Sequence, residues 1–411
     1  MGWVIARIIT GVLTVHGSDP LSVHGNNPLS ELSYYYSSHY AAGGGFREYP
    51  HPGTWPVSLV ALFTGHNKVA FCIGFSLLCL LVDALFLAAL LSRHCTSPGA
   101  PFAAAWLWIV FGAAAGPILI ARLDLFPGLL VALATMLLFT RPYAGSALLG
   151  IATGFKLWPG LLGTGLVGKF KERSTWTRVA SFFGAILGLC FITIVTRGWN
   201  RVTSPFSYQV TRGLQVESIA GGLFTLMADA RVPGYAIHYS MDSHSVEVTG
   251  PLVGVGIVAT DILMLAALLF AVGYAIARLR RGGWTPTITA VYVVVLIELL
   301  IVSNKVFSPQ YLIWLAMPLA VAVKMVPTTD EKSQSRIAWI AGLLIVTTML
   351  TTFIYPFNYD RMVVQVGQTV GVAIALIVRN LLVIVLTVFT FEWFLQVKRA
   401  TAPSSGSALP E

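Results

Sequence analysis

The segment Ser303-Asn304-Lys305-Val306-Phe307-Ser308-Pro309-Gln310-Tyr311 sets a lysine, an asparagine and a glutamine between two apolar runs, 285–302 and 311–323. Polar groups at a membrane boundary cost several kcal/mol when left unpaired, so they mark either a site or an internal anchor. Lys305 offers a compact cation to a phosphate, and Asn304 and Gln310 offer both donors and acceptors. The plainer use of the same residues is helix capping and loop packing.

Four more polar clusters fall at the same face when the apolar runs are threaded in alternation. The first joins Glu31-Leu32-Ser33-Tyr34-Tyr35-Tyr36, Gly43-Gly44-Gly45 and Glu48-Tyr49-Pro50-His51-Pro52. Two carboxylates could serve as a general base, and the aromatic, Gly/Pro-rich setting suits sugar stacking and tight turns; a solvated loop is the alternative. The second, Arg122-Leu123-Asp124, reads as an ion pair or as a binder of a charged head group. Lys156 is the third, a cation remote from the opposite basic loops, with snorkelling as its bland reading. The fourth, Arg212-Gly213-Leu214-Gln215-Val216-Glu217-Ser218, places Arg212, Gln215 and Ser218 on one face of an expected helix, with Glu217 off that face. His238, Asp242 and His244 match no strong metal-ligand spacing and read as solvated loop. Asp83, Asp261 and Glu298 lie inside apolar runs, where buried structural pairing is favoured over a proton relay.

These clusters need a membrane frame. The 411-residue chain is 56% hydrophobic and 10% charged, with a mean hydropathy of +0.77. That excludes an ordinary soluble domain and defines a polytopic membrane protein. Cys72, Cys79, Cys95 and Cys190 lie in or beside apolar runs without ligand-like spacing, which argues against a disulfide framework or a zinc site. A net charge of +9 could suggest nucleic acid, but topology explains it. Arg93, Arg141, Lys169, Lys171, Arg173, Arg178, Arg278, Arg280, Arg281, Lys324, Lys332, Arg336, Lys398 and Arg399, 14 of the 26 basic residues, crowd short loops on one side, with only Glu172, Asp330 and Glu331 among them. The positive-inside rule makes that side cytoplasmic.

Expected spans are 3–15, 67–92, 101–120, 125–140, 143–155, 158–168, 179–196, 250–277, 285–302, 311–323, 337–355 and 366–396. Span 3–15 is short and carries Arg7, so either the true start lies upstream or this helix enters incompletely. Lys156-Leu157-Trp158-Pro159 predicts a broken pair of helices rather than one continuous span. The expected fold is all-α, a polytopic integral membrane protein of about 11–12 embedded helices in one domain over 1–399, with external loops 16–66 and 198–249 and a disordered cytoplasmic tail over 400–411. There is no 20–50-residue repeat. Arg122, Lys156, Arg212 and Lys305 then ring one outer mouth, an arrangement suited to an anionic lipid head group beside a general base.

The chain resembles an actinobacterial member of glycosyltransferase family 87, the polytopic GT-C mannosyltransferases. The resemblance runs over nearly the whole chain and rests on Glu31-Leu-Ser-Tyr-Tyr-Tyr, Glu48-Tyr-Pro, Arg122-Leu-Asp-Leu-Phe-Pro, Gly154-Phe-Lys-Leu-Trp-Pro, Arg212-Gly-Leu-Gln-Val-Glu-Ser and Asn304-Lys-Val-Phe-Ser-Pro-Gln-Tyr-Leu, in that order. It implies a GT-C fold with a functional first external loop and a site on the outer face of the plasma membrane. It implies transfer of mannose from polyprenyl-phosphate-mannose to a glycolipid or lipid-anchored glycan, often α-1,2, with inversion and no nucleotide sugar. The family typically carries an aspartate early in the first external loop as base. Glu31 stands in that place, one methylene longer, and Glu48 is the second choice. The short first helix is another departure.

The expected reaction has Glu31 deprotonate an acceptor hydroxyl that attacks the anomeric carbon as polyprenyl phosphate leaves. Lys305 and Arg212 would balance the growing charge, with Lys156 and Arg122 behind them. Asn304, Gln310 and Gln215 would orient phosphate or sugar, and Tyr34, Tyr35 or Tyr49 would stack on a pyranose. No cofactor is expected, because a dissociated phosphate diester leaves without a metal. The alternatives are a lipid-linked sugar transporter or flippase, and the same fold using another polyprenyl-phosphate sugar such as arabinofuranose. Alternating access favours two related halves.

Overall fold

The computed structural model describes residues 1–17, 28–41, 45–92, 95, 97–210, 212–241, 243, 245–328, 331–365 and 370–401. The Gly43-Gly44 pair, Arg93, Asp242, His244, Asp330 and the tail beyond Thr401 lie outside these residues. Within them the chain is a helical, multi-pass membrane protein. Six helices are long and apolar enough to cross a bilayer: Lys68–Leu90, Arg173–Arg197, Val253–Arg281, Pro286–Ser303, Glu331–Val364 and Val370–Ala400. Shorter apolar helices pack with them, including Gly2–Gly17, Ala100–Ala115, Leu125–Leu137 and Tyr311–Met325.

Pro286–Ser303 and Tyr311–Met325 are apolar all round and buried along most of their length, which makes them the core. Val370–Ala400 and Val253–Arg281 pack on the first, and Leu125–Leu137 and Ala100–Ala115 on the second. The rim is different. Phe183, Leu187 and Phe191 on Arg173–Arg197, and Val258, Ile262 and Leu269 on Val253–Arg281, are exposed. Such outward apolar faces belong against lipid chains.

The break expected at Lys156 is present. Helix Pro142–Phe155 ends, Lys156 is extended, and Pro159–Leu162 begins a separate short helix. Proline at the first helical position and the missing amide explain the restart. Gly53 packs on this end: a Cβ there would sit 2.2 Å from the Phe155 carbonyl oxygen.

The segments between the long apolar helices carry structure of their own. The stretch 16–66 holds helices Pro28–Tyr40 and Trp55–Thr64. The fold is all-α apart from one short hairpin among the described residues. The segment 198–249 carries helices Asn200–Val210 and Ile219–Asp229, then an antiparallel hairpin pairing Ala236–Ser240 with Ser245–Thr249. The last helix runs to Ala400, the first residue assigned to the tail. The four cysteines form no disulfide among the described residues.

Asp83 is structurally paired, as its place inside an apolar run favours, and the pairing accounts for Arg7 in the first helix. Asp83 finds its partner in the short first helix: Arg7 donates to it from Nε and Nη2 at 2.6 Å each, and the indoles of Trp3 and Trp108 donate at 2.7 Å each. Four donors on one carboxylate make a finished, dry knot. Glu298 accepts from Thr390 at 3.0 Å in the core, whereas Asp261 lies exposed on the rim.

Candidate functional site

One cavity of about 940 Å³ gathers six stretches of chain distant in sequence. Helix Pro28–Tyr40 presents Ser30 and Glu31, with Tyr34 one turn further on, and Glu48 and Tyr49 follow. Arg122 enters from the turn before helix Leu125–Leu137. Arg212, Gln215 and Glu217 form the third side, Val306, Ser308 and Gln310 the fourth, and Tyr355 and Tyr359 the fifth. His238 and Tyr239 of the hairpin stand at the rim.

Arg122 is the hub. Its side chain is 5% exposed, pairs with the Glu31 carboxylate, and donates to the Tyr355 hydroxyl at 2.8 Å. Glu31 keeps 31% of its side-chain surface, so this ion pair is open on the carboxylate side. Tyr34 donates to Glu48. The loop bearing Glu48 is anchored from below, where Arg201 donates to the Tyr49 carbonyl at 2.9 Å and Arg197 contacts His51 at 3.3 Å. Burial, with Arg197 and Arg201 adding to it, pushes His51 down to about 4, so its imidazole is neutral at ordinary pH.

The segment 212–218 is not the expected helix. Gln215 bridges to Glu247 of the hairpin, its amide donates to the Lys305 carbonyl at 3.0 Å, and its Oε1 accepts from the Phe307 amide at 2.7 Å. Strand-like pairing on both sides overrides helical spacing here. Ser218 then caps helix Ile219–Asp229 by accepting from the Gly221 amide at 2.9 Å. Gly213 packs on the hairpin: its amide donates to Glu247 at 3.1 Å, and a Cβ there would lie 2.2 Å from that carboxylate, which would have to shift.

Pairing rather than helix turns Glu217 inward, and helical spacing missed it. Glu217 lines the cavity yet is 1% exposed. Its Oε2 has no hydrogen-bond partner among the described residues and lies 3.9 Å from Arg379 Nη2. Arg379, fully buried, donates at 2.9 Å to the Glu217 backbone carbonyl and stacks over Phe307 at 4.1 Å. Burial pushes the Glu217 carboxyl up to about 7, against the opposing pull of Arg379 and Arg122.

Several expected site residues sit elsewhere. Tyr35 is in the core, among Phe46 and Phe75, with its hydroxyl accepting from the Leu123 amide at 3.3 Å; it has no face free for a sugar. Lys156 does not line the cavity. Asp124 holds its ammonium, which sits over the Trp314 and Tyr49 rings at 4.9 and 5.1 Å, and Trp314 donates to the same carboxylate at 2.7 Å. Charge and aromatic partners are thus already supplied, and Lys156 acts as a floor beneath Tyr49. Asn304 accepts from the Val306 amide at 3.0 Å, a turn-making bond, and is not a lining residue. Lys305 contributes its backbone carbonyl to Gln215, while its side chain does not line the cavity. Gln310 does line it, with Oε1 unpartnered among the described residues.

No residues among those described group three or more His, Cys, Asp or Glu side chains in a metal-holding arrangement. Comparison with protein-family models, curated proteins and solved structures finds no match to this chain.

Proposed function

We propose that this chain is a membrane-embedded glycosyltransferase of the GT-C kind, moving mannose from polyprenyl-phosphate-mannose to a glycolipid or lipid-anchored glycan at the outer face of the plasma membrane. The observation that carries this reading is the convergence of Glu31, Glu48, Arg122, Arg212 and Gln310 on one cavity at the edge of an apolar helical body. A carboxylate beside guanidinium groups and amides suits attack on an anomeric carbon with phosphate as leaving group.

The reaction then runs as follows. The donor phosphate takes hydrogen bonds from Arg122 and Arg212, and Arg122 loosens its hold on Glu31. The freed carboxylate takes the acceptor hydroxyl proton as that oxygen bonds to the anomeric carbon. The bond from that carbon to the phosphate oxygen breaks on the opposite side, its electron pair leaves with polyprenyl phosphate, and configuration inverts. Four residues beyond Arg122, Phe126 lines an apolar groove of about 600 Å³ with Trp55, Leu59, Leu62 and Phe155, a surface suited to a lipid chain.

The test is incubation of the purified protein with polyprenyl-phosphate-mannose and a phosphoinositol mannoside. A mannosylated acceptor, read by mass, supports the reading. Binding or relocation of donor without product supports a transporter instead and removes the enzyme.

A further inference from the structure

Counting formal charges around the cavity gives three carboxylates, Glu31, Glu48 and Glu217, against two guanidinium groups, Arg122 and Arg212. The lining is therefore one negative charge in excess when every acid is ionised. An anion entering it meets net repulsion from the lining itself, since Arg379, 3.9 Å behind Glu217, is fully buried and does not line the space. Lys156 is held by Asp124, and the Lys305 side chain does not line the space.

Glu217 is the carboxylate placed to resolve this imbalance. Glu31 is paired with Arg122, and Glu48 accepts from Tyr34. Glu217 has a nearly inaccessible side chain, an unpartnered Oε2, and a guanidinium held 3.9 Å away, beyond hydrogen-bonding distance. The charged groups around it are Arg379 from the last helix, Arg122 from the turn before Leu125, and Tyr355, Tyr359 and Asp360 from 353–364. Lys305 and Glu247 lie on the two segments that pair with its own. We propose that the cavity binds a phosphodiester anion together with one proton, and that Glu217 is the group that takes the proton up. This rests on the reading of the cavity as a polyprenyl-phosphate-sugar site and adds to it a proton-linked donor step. The carboxyl becomes neutral, its hydroxyl can donate into the cavity, and the charge of Arg379 behind it is no longer offset. Burial, which already sets Glu217 near neutrality, supplies the readiness to protonate.

The experiment is calorimetric titration of the detergent-solubilised full chain with monomethyl farnesyl phosphate, a diester whose single charge does not titrate near neutrality. Heats are compared in buffers of different ionisation enthalpy. Expected is uptake of a proton above pH 7, with affinity falling by up to about tenfold per pH unit and levelling off below pH 6 or so. Glu217→Gln should bind the diester with no such slope. His238→Gln, altering the exposed imidazole at the rim, should keep the slope, and its loss there would assign the proton to that imidazole even if the first variant does not fold. A buffer-independent heat in the wild type, an unchanged slope in Glu217→Gln, or loss of the slope in His238→Gln overturns the proposal and leaves the glycosyltransferase reading standing. Absence of diester binding at any pH overturns both.

Discussion

Two arginine–carboxylate pairs, Arg7–Asp83 and Arg122–Glu31, look alike in chemistry and differ in completion. The first is 6% and 0% exposed, and its carboxylate is filled by two indoles besides the guanidinium. The second is 5% and 31% exposed, and its carboxylate faces a cavity. A finished pair in a dry setting fixes helices to one another. An open one keeps bonding capacity for something that arrives. The Glu217–Arg379 pair goes further, since 3.9 Å leaves it unfinished even within the protein.

Substitution should separate these roles. The largest effect is expected from Glu31→Gln, which keeps shape and removes the base. Turnover of polyprenyl-phosphate-mannose should fall by ~10²–10⁴-fold while the protein melts and elutes as the wild type does. Near-normal turnover would remove Glu31 from the mechanism. Asp83→Ala should act the other way round. It leaves Nε and Nη2 of Arg7 and the Trp108 indole N–H buried without their acceptor, so about 3–5 kcal/mol of stability should be lost. The double change Arg7→Met with Asp83→Leu should recover part of that, because an apolar pair of similar volume needs no partner while the Trp108 indole still lacks its acceptor. If the double variant stays as unstable as the single one, the knot does more than hold helices together.

The same contrast explains what could be read from the residues alone. Helix positions followed from apolar runs and from Pro159, because a missing amide acts locally. The polar clusters converged because short connections leave alternating ends at the same side. The partner of Asp83 could not be found that way: Arg7 lies in a different helix, and period and hydropathy carry no information on which helices touch. Glu217 was misplaced for a related reason. Helical spacing set it off the face of Arg212 and Gln215, but pairing of Gln215 with Glu247 and with the Lys305 carbonyl straightens the segment and turns Glu217 inward. Lys156 and Tyr35 erred in the opposite direction. Each has a side chain suited to a ligand, and each is satisfied by neighbours distant in sequence.

The smallest expected effect concerns Glu217 without any ligand. Its carboxyl is raised in the folded protein to about 7 from an ordinary value of 4.5. Between those two values the folded state holds a proton that the unfolded chain has released. Stability should therefore fall as pH rises from about 4.5 to about 7 and flatten above, because the buried group must then ionise. The full difference amounts to at most about 3 kcal/mol from this one residue, with Arg379 already offsetting part of the burial in the folded value. Melting of the detergent-solubilised protein across that range, in wild type and Glu217→Gln, isolates the contribution. The variant should lose the decline and equal or exceed the wild type at pH 8 or so. A steeper loss at high pH in the variant would mean that the ionised carboxylate is what Arg379 requires, making this pair structural in the manner of Arg7 and Asp83.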